Sequence, residues 1–168
     1  GVLRADGGFD LPAYHELRRK FPELLRFDAD GRLVDKVRMD PRHGSLQPAV
    51  VPLGDRHAVA FLRDRAIGGG RVLRQETHDG GATWTAAEPT PLPSPDASVA
   101  AAGWGDGAVA VAYNPTYRRN ELVLATPAAG GWKTLAVLER QQGAVEFSYP
   151  TLVINDGWAD LIYSWRRE

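Results

Sequence analysis

The chain has 168 residues, a formal net charge of −1, 43% hydrophobic and 24% charged residues, and no cysteine. These proportions exclude a disordered or collagen-like chain, and the balanced charge gives no basis for a nucleic-acid or anionic-membrane partner. No disulfide or thiolate nucleophile can form, and no apolar run approaches the roughly 18 residues of a membrane-spanning helix.

Glycine and proline, 18 and 12 residues, fall between short apolar runs and punctuate many turns. This predicts an all-β chain. Residues 9–16, 23–27 and 32–37 read as the first three strands. Tyr14, Leu17 and Phe21 stand at helical spacing, but Pro22 limits any helix there to a single turn. Further on, 58–62, 107–113 and 159–163 alternate small and branched apolar residues over strand length.

A repeat organises these strands. Gln47-Pro48, the Gly54-Asp55 turn and His57 to Arg63 match Ser98, the Asp106-Gly107 turn and Ala108 to Asn114. The unit returns as Tyr149-Pro150, the Asn155-Asp156-Gly157 turn and Trp158 to Trp165. Gly107 and Gly157 lie 50 residues apart, and Trp84 and Trp132 lie 48 apart, so two independent markers report nearly one period. Second hairpins follow at 71–77 with 83–87 and at 121–126 with 132–138. Four antiparallel strands per repeat of this length is the build of a β-propeller blade. The expected organisation is a single partial propeller domain over 1–168. It comprises strands B to D of a leading blade at 8–38, full blades at 47–87 and 97–139, and two strands of a further blade at 149–168. An open partial ring exposes apolar blade faces, so pairing with another copy or with a missing half is expected.

The most specific motif is Thr77-His78-Asp79-Gly80-Gly81-Ala82-Thr83-Trp84. It fits the Asp-box pattern: Ser or Thr, any residue, Asp, any residue, Gly, any residue, Thr, Trp. Asp79 is placed to accept N–H bonds across its turn, the glycines permit positive φ, and Trp84 folds back as an apolar plug. Thr77, Asp79, Gly81, Thr83 and Trp84 are therefore read as a structural clasp. Residues 128–132 form a reduced copy that keeps Gly131 and Trp132 without the acid.

With the box, the segments Leu11 to Glu16, Lys20 to Leu25, Gly44 to Pro48, Phe61 to Asp64, and Glu146 to Pro150 running to Tyr163 to Arg167 resemble the BNR-repeat (Asp-box), neuraminidase- or sialidase-like family over nearly the whole chain. The resemblance implies a six-bladed ring with its site at the axis, this chain corresponding by length to the C-terminal half. It also implies a glycoside hydrolase, an exo-alpha-sialidase acting on terminal acidic sugars. In that family arginines hold the sugar carboxylate, a Tyr activated by a Glu is the nucleophile, and an Asp is the acid/base. That Asp belongs to an early blade, so this segment alone is expected not to turn over.

Propeller geometry sorts the loops. Those at 39–47, 63–70, 88–98, 114–120 and 140–149, and the stretch from Trp165, emerge on the axial face; the Asp box lies on the opposite one. Tyr149, three residues after Glu146 in a Tyr-Pro-Thr-Leu setting similar to that of the sialidase nucleophile, is the candidate nucleophile, and Glu146 its base. The alternative for Tyr149 is packing in the channel with its hydroxyl bound to backbone. If Tyr149 and Glu146 are not within hydrogen-bond reach, the hydrolase reading loses its base. Arg63 and Arg166 end equivalent B strands and are expected to hold the carboxylate, with Gln47 and Asn114 as sugar hydrogen-bonders. Arg118 and Arg119 rank lower, because charged loop tips are usually solvated.

His43, with His15, keeps a polysaccharide lyase acting on uronates as an alternative, and a non-catalytic carbohydrate-binding propeller is a third reading. His57 and His78 fall on the opposite turns as surface residues. None of the four histidines has the spacing of a helical metal pair, so neither a metal nor a cofactor is expected.

Overall fold

Fourteen strands, each antiparallel to its neighbours, make up the regular structure among the residues that the computed structural model describes: 1–42, 44–65, 69–105 and 107–167. They form four meanders. The first sheet contains β1 (Val2–Leu3), β2 (Phe9–His15), β3 (Phe21–Phe27) and β4 (Leu33–Arg38). The second contains β5 (Ser45–Pro52), β6 (Ala58–Asp64), β7 (Arg71–Thr77) and β8 (Glu88–Pro93). The third contains β9 (Ala100–Trp104), β10 (Ala108–Tyr113), β11 (Glu121–Ala128) and β12 (Gly131–Arg140), and the last pairs β13 (Glu146–Asn155) with β14 (Trp158–Arg167). No described segment is helical, and no helix is long and apolar enough to cross a membrane.

Side-chain alternation explains the stacking. In β6, Val59 and Phe61 enter the core shared with the third sheet, where Val109, Val111 and Tyr113 meet them. The intervening Ala60 and Leu62 pack toward the first sheet with Leu24 and Met39. The scheme repeats one sheet later: Ala110 and Ala112 of β10 face Leu152 of β13. Each central strand is thus buried on both faces, which a strand achieves only when sheets stack on either side of it.

The first strands of successive sheets adjoin, β5 beside β9 and β9 beside β13, with β1 also against β5. They line a groove of about 660 Å³ bounded by Leu3, Pro48, Val50, Ala101 and Leu152. This is the inner surface of a partial propeller. On the far sheet, residues facing away from Leu152 have no cover: Val153 is 53%, Trp158 78% and Ile162 73% exposed.

Two expectations need revision. The leading sheet has a fourth strand, the short β1. The outer strand of the second sheet is β8, later than the expected 83–87, because the Asp-box turn occupies that stretch.

Within the box, Asp79 Oδ1 accepts from the Thr83 N–H at 2.9 Å and from the Thr77 hydroxyl at 2.8 Å, and Oδ2 accepts from the Thr83 hydroxyl at 2.5 Å. The Gly81 N–H donates to Thr77 Oγ1 at 2.8 Å. Gly81 has φ +82°, and a Cβ there would lie 2.9 Å from Arg26 Nη2 and 3.0 Å from Leu24 Cδ2, so the box and the first sheet meet where only glycine fits. Trp84 packs on the Leu24 cluster.

The Thr83 hydroxyl, then the Thr83 N–H and Thr77, hold the Asp79 carboxyl well below the usual carboxylate range. A depressed folded-state value stabilises the fold above the ordinary carboxylate pKa and ceases to do so as pH falls. Asp79→Asn should therefore lower Tm at about pH 7, and the gap from wild type should narrow by about pH 3. Thermal melts at the two pH values check this.

Candidate functional site

A continuous polar arc runs across one face of all four sheets. It begins at Tyr14 of β2, whose hydroxyl accepts from Gln47 Nε2 at 3.4 Å. Gln47 Oε1 accepts from Arg63 Nη1 at 3.1 Å. Arg63 is 6% exposed; its Nε and Nη2 sit 2.8 and 2.7 Å from Asp96 Oδ1, while Arg65 Nη1 holds Asp96 Oδ2 at 3.0 Å. Arg119 Nη2 donates to the Asp96 carbonyl at 2.8 Å, and its Nη1 to Glu146 Oε1 at 3.0 Å. Arg167 closes the arc, with Nη1 3.9 Å from Glu146 Oε1 and its guanidinium 5.6 Å above the Tyr149 ring.

Backbone geometry sets these residues apart. Among the described residues, six non-glycine positions have positive φ, and five lie on this face: Gln47, Asp96, Arg119, Tyr149 and Arg166. Left-handed backbone costs an L-residue on the order of 1–2 kcal/mol, and such strain clusters at functional sites. Gln47 and Tyr149 both precede a proline, and pairing slips beside each, between Leu46 and Ala49 and between Ser148 and Thr151. A bulge of this kind re-aims one side chain out of the alternating pattern. The Tyr149 N–H is anchored on Ser98 Oγ at 3.1 Å, tying the bulge to the neighbouring sheet.

Burial alone would raise the Glu146 carboxyl. The neighbouring Ser148 hydroxyl and the guanidinium groups of Arg119 and Arg167 outweigh it and hold the group below the ordinary carboxylate value. Glu146 is therefore ionised at neutral pH. Tyr149 is 42% exposed, and among the described residues its hydroxyl makes no hydrogen bond, so the expected Tyr149–Glu146 contact is not formed.

Of the expected site residues, Gln47, Arg63, Glu146 and Tyr149 belong to the arc. Arg166 does not: it is exposed and stacks on Trp165, its Cζ 4.4 Å from the ring centroid. Arg167 takes its place. Asn114 is fully buried, and its amide donates to the Glu121 and Phe147 carbonyls, both at 2.7 Å, so it ties two sheets together and has no surface for a sugar. His43 lies outside the described residues. His15 is held by Glu23 at 3.1 Å and stacked on Phe21. Sequence reasoning missed Asp96 and Arg65, and ranked Arg119 too low. The adjacent pair Arg118-Arg119 hid a division of labour, with Arg118 exposed and Arg119 half-buried.

A family model described as a BNR repeat-like domain matches residues 1–161. The chain belongs to that family. No curated protein sequence matches this BNR repeat-like chain. Its fold is similar to that of Trypanosoma rangeli sialidase, at 14% identity and a TM-score of 0.73, with 97% of this chain and 28% of that chain covered. The NanB sialidase of Streptococcus pneumoniae aligns at 14% identity and a TM-score of 0.72, covering 97% of this chain and 26% of that one. Another match is the T. rangeli enzyme in complex with 2,3-difluorosialic acid, a covalent intermediate, at 15% identity and a TM-score of 0.70, covering 97% and 28%. The BNR repeat-like chain thus spans little more than a quarter of these sialidases, and what it shares with them is the blade architecture.

Proposed function

We propose that this chain forms one wall of a sialidase-like site for a terminal acidic sugar, binding the sugar carboxylate through Arg119 and Arg167, with Tyr149 as nucleophile and Glu146 as its proton acceptor. The observation that carries this reading is the arc itself. Guanidinium groups from three successive sheets outnumber the carboxylates of Asp96 and Glu146 between them, on the face where non-glycine backbone is left-handed. Arg63, locked by Asp96 and Gln47, positions the arc.

The chemistry follows from the present partners. A sugar carboxylate arriving at Arg119 competes with Glu146 for the same guanidinium and releases Glu146 toward the phenol. Glu146, already ionised, takes the Tyr149 proton as the phenolic oxygen attacks the anomeric carbon, and the departing oxygen needs a proton from an acid outside these residues. A neutral phenol suits an anionic sugar because it is not repelled as a carboxylate nucleophile would be. The covalent intermediate of T. rangeli sialidase with 2,3-difluorosialic acid supports a nucleophilic route by analogy of fold.

Recognition without turnover is the second reading, favoured by the Glu146–Arg119 pair that keeps the base from Tyr149. The uncovered Val153, Trp158 and Ile162 support completion of the ring by a further blade or a second copy.

Titration with N-acetylneuraminic acid and a neutral galactoside, followed by a sialoside and uronate-polymer turnover assay, tests the reading. Expected are binding of the acidic sugar alone and, where turnover occurs, a loss of about a thousandfold or more in Tyr149→Phe. Binding with no product assigns recognition only. An unsaturated product would mean a lyase, and equal affinity for both sugars would remove the site.

A further inference from the structure

We propose that the opposite face carries a site for a divalent transition metal, zinc foremost, made by His57, Glu76 and His78. The site is independent of the axial arc.

Strand pairing builds it. Ala58 faces Thr77 and Val59 faces Glu76 in the β6–β7 register, so His57 and His78 oppose each other one step beyond the ladder, and Glu76 lies two residues from His78 on the same side. The imidazoles stack with centroids 4.4 Å apart and planes at 21°. Both Nε2 atoms turn to one carboxylate oxygen: His57 Nε2 is 2.8 Å and His78 Nε2 3.4 Å from Glu76 Oε2, and the three ligand atoms lie within 4.8 Å of one another. Arg74 occupies the other oxygen, Oε1, leaving Oε2 to bind a cation through one bond.

The spacing fits the metal. Zinc bonds of about 2.0–2.2 Å to nitrogen and oxygen imply ligand–ligand edges of about 3.3–3.6 Å in a tetrahedron. The His78–Glu76 edge of 3.4 Å lies in that range, and the His57–Glu76 edge of 2.8 Å, a hydrogen bond in the absence of metal, has to open by about 0.5 Å. His57 is 38% and His78 65% exposed, so the rings can close on an ion by side-chain rotation, with solvent as the fourth ligand. Two imidazoles and one carboxylate select zinc, copper or nickel over calcium or magnesium, which prefer all-oxygen sets. The helical-spacing rule that argued against any metal does not apply, because the ligands come from two strands. His78 is also the second residue of the Asp box, so an ion would clamp the box turn to the start of β6.

Isothermal titration of the full chain with zinc chloride, and with calcium chloride as control, tests the site. Expected are one zinc ion per chain, no heat with calcium, a Tm that rises with zinc, and affinity weakened tenfold or more in His78→Ala. His78 is a surface residue, and circular dichroism confirms that the variant stays folded; Glu76→Gln provides a second variant. Equal zinc affinity in wild type and both variants, no binding at all, or loss of binding in His15→Ala instead would overturn the proposal.

Discussion

Replacing Phe61 by alanine is expected to lower the free energy of unfolding by about 3–5 kcal/mol. Phe61 is 1% exposed at the middle of β6, and its ring meets Trp132 edge-on, with centroids 5.9 Å apart at 78°. It belongs to the cluster of Val51, Val59, Val111, Tyr113 and Val123, which joins the second and third sheets. The cost lies toward the upper end for two reasons. Hydrogen-bonded strands on both sides cannot collapse into the space left by a ring, and the edge-to-face contact is lost in addition to the buried area. Urea unfolding should show a lower midpoint with an unchanged slope, since the same surface is exposed. A loss below about 1 kcal/mol would mean that the two sheets are not held together there. The effect reaches the site, because Arg63 is the penultimate residue of β6 and Arg119 lies in the β10–β11 connection of the third sheet.

The same residue shows what the sequence made legible. Alternation over 58–62 declared a strand, which extends to Asp64 in the fold, and its return at a period near 50 residues declared stacked blades; both features survive translation into coordinates. The outer strand β8 was missed because it contains Pro89, Pro91 and Pro93, which read as loop. Proline is tolerated there because an outermost strand needs its N–H groups on one side only. The strand expected at 83–87 is not there, and the box tryptophan folds back over the turn as the motif implies. Its counterpart Trp132, left from the reduced copy, keeps the packing role by meeting Phe61 after the acid is gone.

The site was legible as a location and less so as a set of partners. The repeat brought Gln47, Arg63 and Tyr149 to one pole. Asp96 and Arg119 are aimed by left-handed backbone at non-glycine residues, a conformation with no sequence signature. The exchange of Arg166 for Arg167 has a sharper cause. The pairing of β13 with β14 slips by one residue between Glu146 and Ser148 and slips back before Thr151, so Arg167 stands opposite Glu146 while Arg166, left-handed in the bulge, is re-aimed away from the arc. His57, Glu76 and His78 meet only through cross-strand register, which a search along one strand at helical spacing cannot find.

Arg63→Ala is expected to cost about 2 kcal/mol of stability and to weaken acidic-sugar binding tenfold or more, whereas Arg166→Ala changes neither. Removing one member of a fully buried ion pair costs more, about 3–5 kcal/mol. Here the Asp96 side chain is 35% exposed and keeps Arg65 at 3.0 Å, so water and that second guanidinium offset part of the loss. Gln47 fares worse. Without Arg63 its remaining side-chain partner is Tyr14 at 3.4 Å, too long to hold the bulge before Pro48. Arg63→Lys should recover part of the stability and little of the binding, since one ammonium cannot span Asp96 and Gln47 as the guanidinium fork does. Arg166, stacked on Trp165 in solvent, holds nothing in the arc. Sequence position alone makes Arg63 and Arg166 equals, so denaturant unfolding and sugar titration of the two variants side by side separate the arc from the simpler expectation. Binding that survives Arg63→Ala and vanishes in Arg166→Ala would move the site away from Asp96 and Glu146.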